Sequence, residues 1–264
     1  MINEKGFLSD ESVEGIKIIR KRFSDAFEIA DEINRTAVSI VGNMNLGKWE
    51  DKSLVLLSTL LVRLTETYEA ILILLERGMS AQAKILARSM LDMLFPFLAI
   101  CKDKNLLETY LHQQEHAQCR QLKSALDIKN KELRKVIKNL GYEKKYLELK
   151  ENLKSKSGPI LKTIDWAKKA NLQDLYNFHY VWLCDATHSN LSALNEHVDI
   201  TPSGDRTISF GPNLAGLYET LHVSSGFLSM ALIAYSREDK AVVNKLHKLQ
   251  NSLEKLSENI VETK

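Results

Sequence analysis

Arg88, Ser89 and Asp92 are the only polar residues in the run from Ile85 to Cys101. On a helix, positions i, i+1 and i+4 share one side, so the three form a polar notch on an element that must otherwise be buried. Arg88 and Asp92 stand one turn apart and can ion-pair. A guanidinium among Leu and Met residues demands a partner, because burying unpaired charge is costly. Two uses fit such a notch: an Arg–carboxylate network that fixes helix register, or a clamp for an anion or phosphate, with Arg77 as a second cation. Ser89 and Asp92 would then be ligand contacts.

A second constellation runs from Tyr176 to Asn190. Tyr176, His179 and Tyr180 fall on one helical side, and Asp185 and His188 fall on another. His188 has the intrinsic pKa for acid/base work, and Asp185 could orient it; a hydrogen-bonded histidine near a helix end has the same sequence. Ser189 beside it is no nucleophile signal, since the chain has no GxSxG elbow.

His112-Gln113-Gln114-Glu115-His116 has the HxxEH form of an inverted zinc-protease motif, and His112, His116 and Cys119 project to one side. No convincing downstream carboxylate ligand accompanies it. A solvated, Gln-rich helix surface accounts for the pattern without metal, and no metal is expected. Lys131, Arg134, Lys135 and Lys138 recur so that several share a side, as in a tracker of phosphate backbones, or as in a plain solvated face. Neither a Walker loop nor a dinucleotide-binding glycine pattern is present, so no cofactor is expected.

The elements that must position these residues read as helices. Gly and Pro are scarce, with 11 and 4 in 264 residues, and alternating polarity is nearly absent, which predicts an all-α protein. Apolar spacing predicts helices over 9–41, 51–77, 81–101, 105–139, 143–154, 161–170, 172–183, 214–235 and 240–261. Asp10 or Ser9 is expected to cap the first, Gly78 to end the second, and Ser80 to cap the third, which makes 51–101 an antiparallel hairpin. Pro96 should cost the central helix one hydrogen bond and bend it. Alternation appears only at 197–201 and 206–210, around Pro202-Ser203-Gly204-Asp205, and predicts a small β-hairpin flap over 197–212. The stripe in 240–261 could pack on the bundle or on a second copy.

The length fits one helical domain, 1–264, with 120–156 as an inserted or protruding arm. That arm holds twelve Lys/Arg against five Asp/Glu, in a chain whose net charge is only +2. Three cysteines without a CxxC pair argue for reduced thiols in a cytoplasm. The N-terminal residues have no apolar core, so no secretory leader is expected, and no apolar run reaches the ~20 residues of a membrane span.

Leu75-Glu76-Arg77-Gly78 leading into Ala83–Asp92, then Trp166 and Tyr180–His188, resemble a bacterial all-helical family catalogued as domain of unknown function 5677. The shared pattern is an Arg-Gly turn, an Arg-Ser/Thr-x-x-acidic segment (Arg88 to Asp92) and a later Tyr-x7-His (Tyr180 to His188). The resemblance spans about Leu54 to Leu194 and implies a helical fold with a polar centre. It departs from the pattern at Cys184 and Asp185, where Ser or Arg is expected. A more distant comparison is with HEPN-type ribonucleases. Their Arg-x(4–6)-His spacing is absent, so that chemistry would require Arg88 to meet His188 from another helix.

The residues therefore predict an antiparallel helical bundle with a basic arm and a flap, no membrane partner, and a second copy as a candidate partner. The leading expectation is a binding protein in which Arg77, Arg88, Ser89, Asp92, His179, Tyr180 and Asp185 hold an anionic ligand, a nucleotide or an RNA phosphate. A metal-independent ribonuclease with His188 and Arg88 as catalytic groups is the enzymatic alternative. A purely structural centre, with function in oligomer contacts, is the third reading.

Overall fold

The computed structural model describes residues 6–9, 12–44, 51–156, 158–187, 191–195 and 197–262. The chain is all-α apart from one small hairpin. The helices are α1 (Ser12–Arg22), α2 (Ser24–Gly42), α3 (Lys52–Leu75), α4 (Ser80–Lys102), α5 (Leu106–Leu126), α6 (Lys131–Asn139), α7 (Tyr142–Lys154) and α8 (Thr163–Ala170). A continuous helical run follows: α9 (Gln173–Leu175), a π-helical turn at Tyr176–Tyr180, and α10 (Val181–Thr187). Then come α11 (Leu191–Asn195), β1 (Val198–Ile200), β2 (Arg206–Ile208), α12 (Leu217–Tyr235) and α13 (Lys240–Glu262).

The α3–α4 hairpin forms as expected. Asp51 caps α3 by accepting from the Ser53 and Leu54 amides. At the other end the Gly78 amide donates to Leu75 O and the Met79 amide to Leu74 O, a Schellman closure that requires the left-handed φ of +72° at Gly78. Gly78 has a second reason to be glycine: an added Cβ would lie 2.6 Å from Pro212 Cβ, where the segment entering α12 crosses the turn. Asn213 N donates to Gly78 O there, and the Ser80 hydroxyl donates to Asn213 O, so Ser80 ties α4 to that segment instead of capping it.

Two expected helices are each divided. The predicted 9–41 helix breaks at Phe23, whose φ of −117° and ψ of 32° leave the helical region; Asp10 lies outside the described residues. The predicted 105–139 helix breaks at Asn130, whose extended backbone lets its side chain accept from the Glu132 and Leu133 amides and start α6. α4 runs on through Pro96, buried in the core.

One apolar core draws on α1, α2, α3, α4, α8, α10, α12 and α13. α4 lies at its centre, packed on α3, α8, α10 and α12. Tyr68 of α3 is fully buried; its hydroxyl bonds Ser225 of α12 at 2.7 Å and donates to Ala30 O of α2 at 3.3 Å, joining three helices. Ser224, Ser225 and Ser229 are also fully buried, letting α12 approach its neighbours closely. The α13 stripe packs on the bundle, with Leu246 and Leu253 buried against α2 and α12. The arm is α6 and α7, which fold back on α5 and bury no residue of their own. Among the described residues no helix is long and apolar enough to cross a membrane.

Candidate functional site

The notch on α4 faces the π-helical turn. A π turn places an extra residue in the helical circuit and recurs at functional sites. Here it stacks the Tyr176 and Tyr180 rings, with centroids 4.6 Å apart and planes 18° from parallel, both tilted against Phe95 of α4. The Arg88 guanidinium lies over the Tyr180 ring, its Cζ 4.1 Å from the centroid. Arg88 Nη2 donates to the Tyr180 hydroxyl and Nη1 to the Asp92 carboxylate. Arg88 Nε is buried with no hydrogen-bond partner. The Arg88 side chain is 19% exposed and that of Asp92 40%, so the pair sits at the edge of the core.

Asp92 has a second face, on a cavity of about 430 Å³. Pro96 of α4, Tyr110 and Gln114 of α5, and Leu161, Lys162 and Thr163 at the start of α8 complete its walls, with Trp166 behind them. Gln113 fixes the far wall: its side-chain oxygen accepts from Leu161 N at 3.1 Å and from Trp166 Nε1 at 3.2 Å. The N-terminal end of α8, with Lys162 and Thr163, therefore borders the cavity; the Asp165 carboxylate caps that end, accepting from Lys162 N at 2.9 Å, so the free positive charge there is the Lys162 side chain. A larger and more open groove of about 630 Å³ lies between α2 and α13. Its Glu32 is already held by Lys245 and, to a lesser degree, Arg35, which lower its pKa, and no notch residue lines it.

The other expected residues are placed as follows. Arg77 is engaged locally, donating to Ile73 O and pairing with Glu76, which also meets Arg20. Ser89 and Asp185 are exposed. His179 turns to α12, its ring 6.0 Å from Phe227, with Nδ1 buried and lacking a partner. Burial, and then the nearby His222, push its pKa below the ordinary value. His188 lies outside the described residues, as do Ser189 and Asn190.

On the arm, Lys131, Arg134, Lys135 and Lys138 are all exposed; Arg134 donates to Ile128 O, and Lys135 pairs with Glu132. His112 and His116 meet through their Nε2 atoms at 3.1 Å, while Glu115 is taken by Lys156 at 2.6 Å. No group of three metal-ligating side chains converges among the described residues.

Two contributors were missed in the sequence. Lys84, one turn before Arg88, is buried with its amine 6.0 Å from the Trp182 ring, and Gly216 leaves room for its stem. Its i−4 spacing from Arg88 was a readable signal. Gln113 carried none, because its two partners are 48 and 53 residues away.

A model described as a family of unknown function, DUF5677, matches residues 54–206 of the chain, a span that contains the whole notch, the π turn and the cavity. No curated protein and no solved structure matches.

Proposed function

The chain belongs to this family of unknown function, and from that premise we propose that it is a binding protein for a small anionic ligand, received in the cavity beside Asp92. One observation carries the reading: Arg88, with an orphaned buried Nε, is held by a carboxylate that itself lines the cavity. An anion entering there competes with Asp92 for Arg88 and meets Lys162 on the other side. Tyr180 holds the guanidinium in place while its partner changes, through the ring stack and the hydroxyl. The volume falls in the range of ordinary ligand sites, large enough for a mononucleotide.

A specific observation also favours a structural reading: both terminal nitrogens of Arg88 are already engaged, which suffices for a lock between α4 and the π turn. Titration with inorganic phosphate and with nucleoside monophosphates separates the two. Wild type should bind, and Arg88→Gln should lose about tenfold or more in affinity while remaining folded. Absence of binding by wild type leaves only the lock.

A further inference from the structure

β1 and β2 pair antiparallel, with Val198 opposite Ile208, Asp199 opposite Thr207 and Ile200 opposite Arg206. One face of the hairpin therefore carries Val198, Ile200, Arg206 and Ile208, and the other Asp199 and Thr207. Most of the apolar face is open: Ile200 is 69% exposed and Ile208 81%, and Phe210 just beyond is 73% exposed, met only edge-on by the Phe7 ring at 5.7 Å among the described residues. All three β2 residues are exposed, and no further strand joins the sheet among the described residues. An isolated two-stranded hairpin with three residues per strand is marginal in water, and an uncovered edge is a template for another strand.

The hydrogen bonds fix which groups that edge offers. Thr201 N donates to Asp205 O and Ser209 N to His197 O. Antiparallel bonding alternates, so Asp199 and Thr207 turn their backbone groups toward each other. The amides and carbonyls of Arg206 and Ile208 consequently point outward from β2.

We propose that the open edge of β2 pairs with the same edge of a second copy of this chain, about a two-fold axis at Thr207, to form a four-stranded antiparallel sheet in a homodimer. An antiparallel edge is self-complementary through a two-fold axis. In this register Arg206 of each copy lies opposite Ile208 of the other, and both exchange backbone bonds with their outward groups. Thr207 meets Thr207 in the non-hydrogen-bonded position, a favourable pair. The outer edge of β1 is excluded, because the equivalent axis would oppose Asp199 to Asp199. The apolar faces of the two hairpins then become one surface.

Light scattering on the full chain should give twice 30.0 kDa. Ile208→Pro removes an outward donor and spares the internal ladder, so it should shift the protein to monomer with unchanged helicity. Thr207→Cys should cross-link to dimer under mild oxidation, since Cα atoms in that position stand about 4.5 Å apart, within disulfide reach. Asp199→Cys, on β1, the outer strand of that sheet, should not. A monomeric wild type, an Ile208→Pro variant that stays dimeric, or equal cross-linking at 199 and 207 each overturns the proposal.

Discussion

The Arg88 guanidinium lies over the ring of Tyr180 and donates to the hydroxyl of the same residue. One side chain of the π turn thus supplies both the surface and the acceptor that hold the cation of α4. The two contributions separate by substitution. Tyr180→Phe keeps the stack and removes the acceptor, and should cost about 1 kcal/mol. Tyr180→Ala also opens a cavity against Phe95, and should cost about 3 kcal/mol or more. Urea unfolding of the three proteins measures both.

Two glycines should respond oppositely to alanine. Gly78 has a φ of +72° and meets Pro212 at once, so Gly78→Ala should destabilise by about 2 kcal/mol or more. Gly226 lies within α12 with nothing within 4 Å of an added Cβ. Gly226→Ala should stabilise by about 0.5–1 kcal/mol. Thermal unfolding should show one Tm fall and one rise.

Stability should fall in mild acid. Burial pushes His179 of the π turn and His222 of α12 below the ordinary 6.5; His222 adds to the shift at His179, and Glu254 of α13 partly offsets the shift at His222. The unfolded chain therefore binds more protons than the folded one across this range, so stability rises with pH. The contribution is complete above about pH 6.5 and is lost as pH falls through the lowered folded values. His222→Gln should flatten the slope of Tm against pH in that window.

Cys101, near the end of α4, has its thiol pushed up to about 11 by burial. Its thiolate fraction at pH 8 is then about a hundredfold below that of an ordinary thiol with a pKa of 9.0. A Cys101→Ser variant should lose no fast-reacting thiol in labelling with a disulfide reagent at pH 8. It should lose one titrated group in denaturant.

Much of the architecture was legible because it is local. Helical spacing, the Gly78 turn and the alternation flanking Gly204 are each written within a few residues. The notch was legible for the same reason: Arg88 and Asp92 are one turn apart. The breaks at Phe23 and Asn130 were not, since the apolar or charged pattern continues across them and only backbone angles reveal the change. The sequence also put Tyr176, His179 and Tyr180 on one side. The π turn redistributes them, sending the tyrosines to α4 and His179 to α12. Gln113 and the cavity it closes depend on α5 meeting residues about fifty positions later, which no spacing rule conveys.

The most direct test of the central claim is the affinity of Asp92→Asn for inorganic phosphate, measured beside wild type by calorimetry. An anion that competes with Asp92 for Arg88 should bind the neutral variant several-fold more tightly, about 1 kcal/mol or more. Unchanged or weaker binding would contradict the account and leave Arg88, Asp92 and Tyr180 as a lock between two helices.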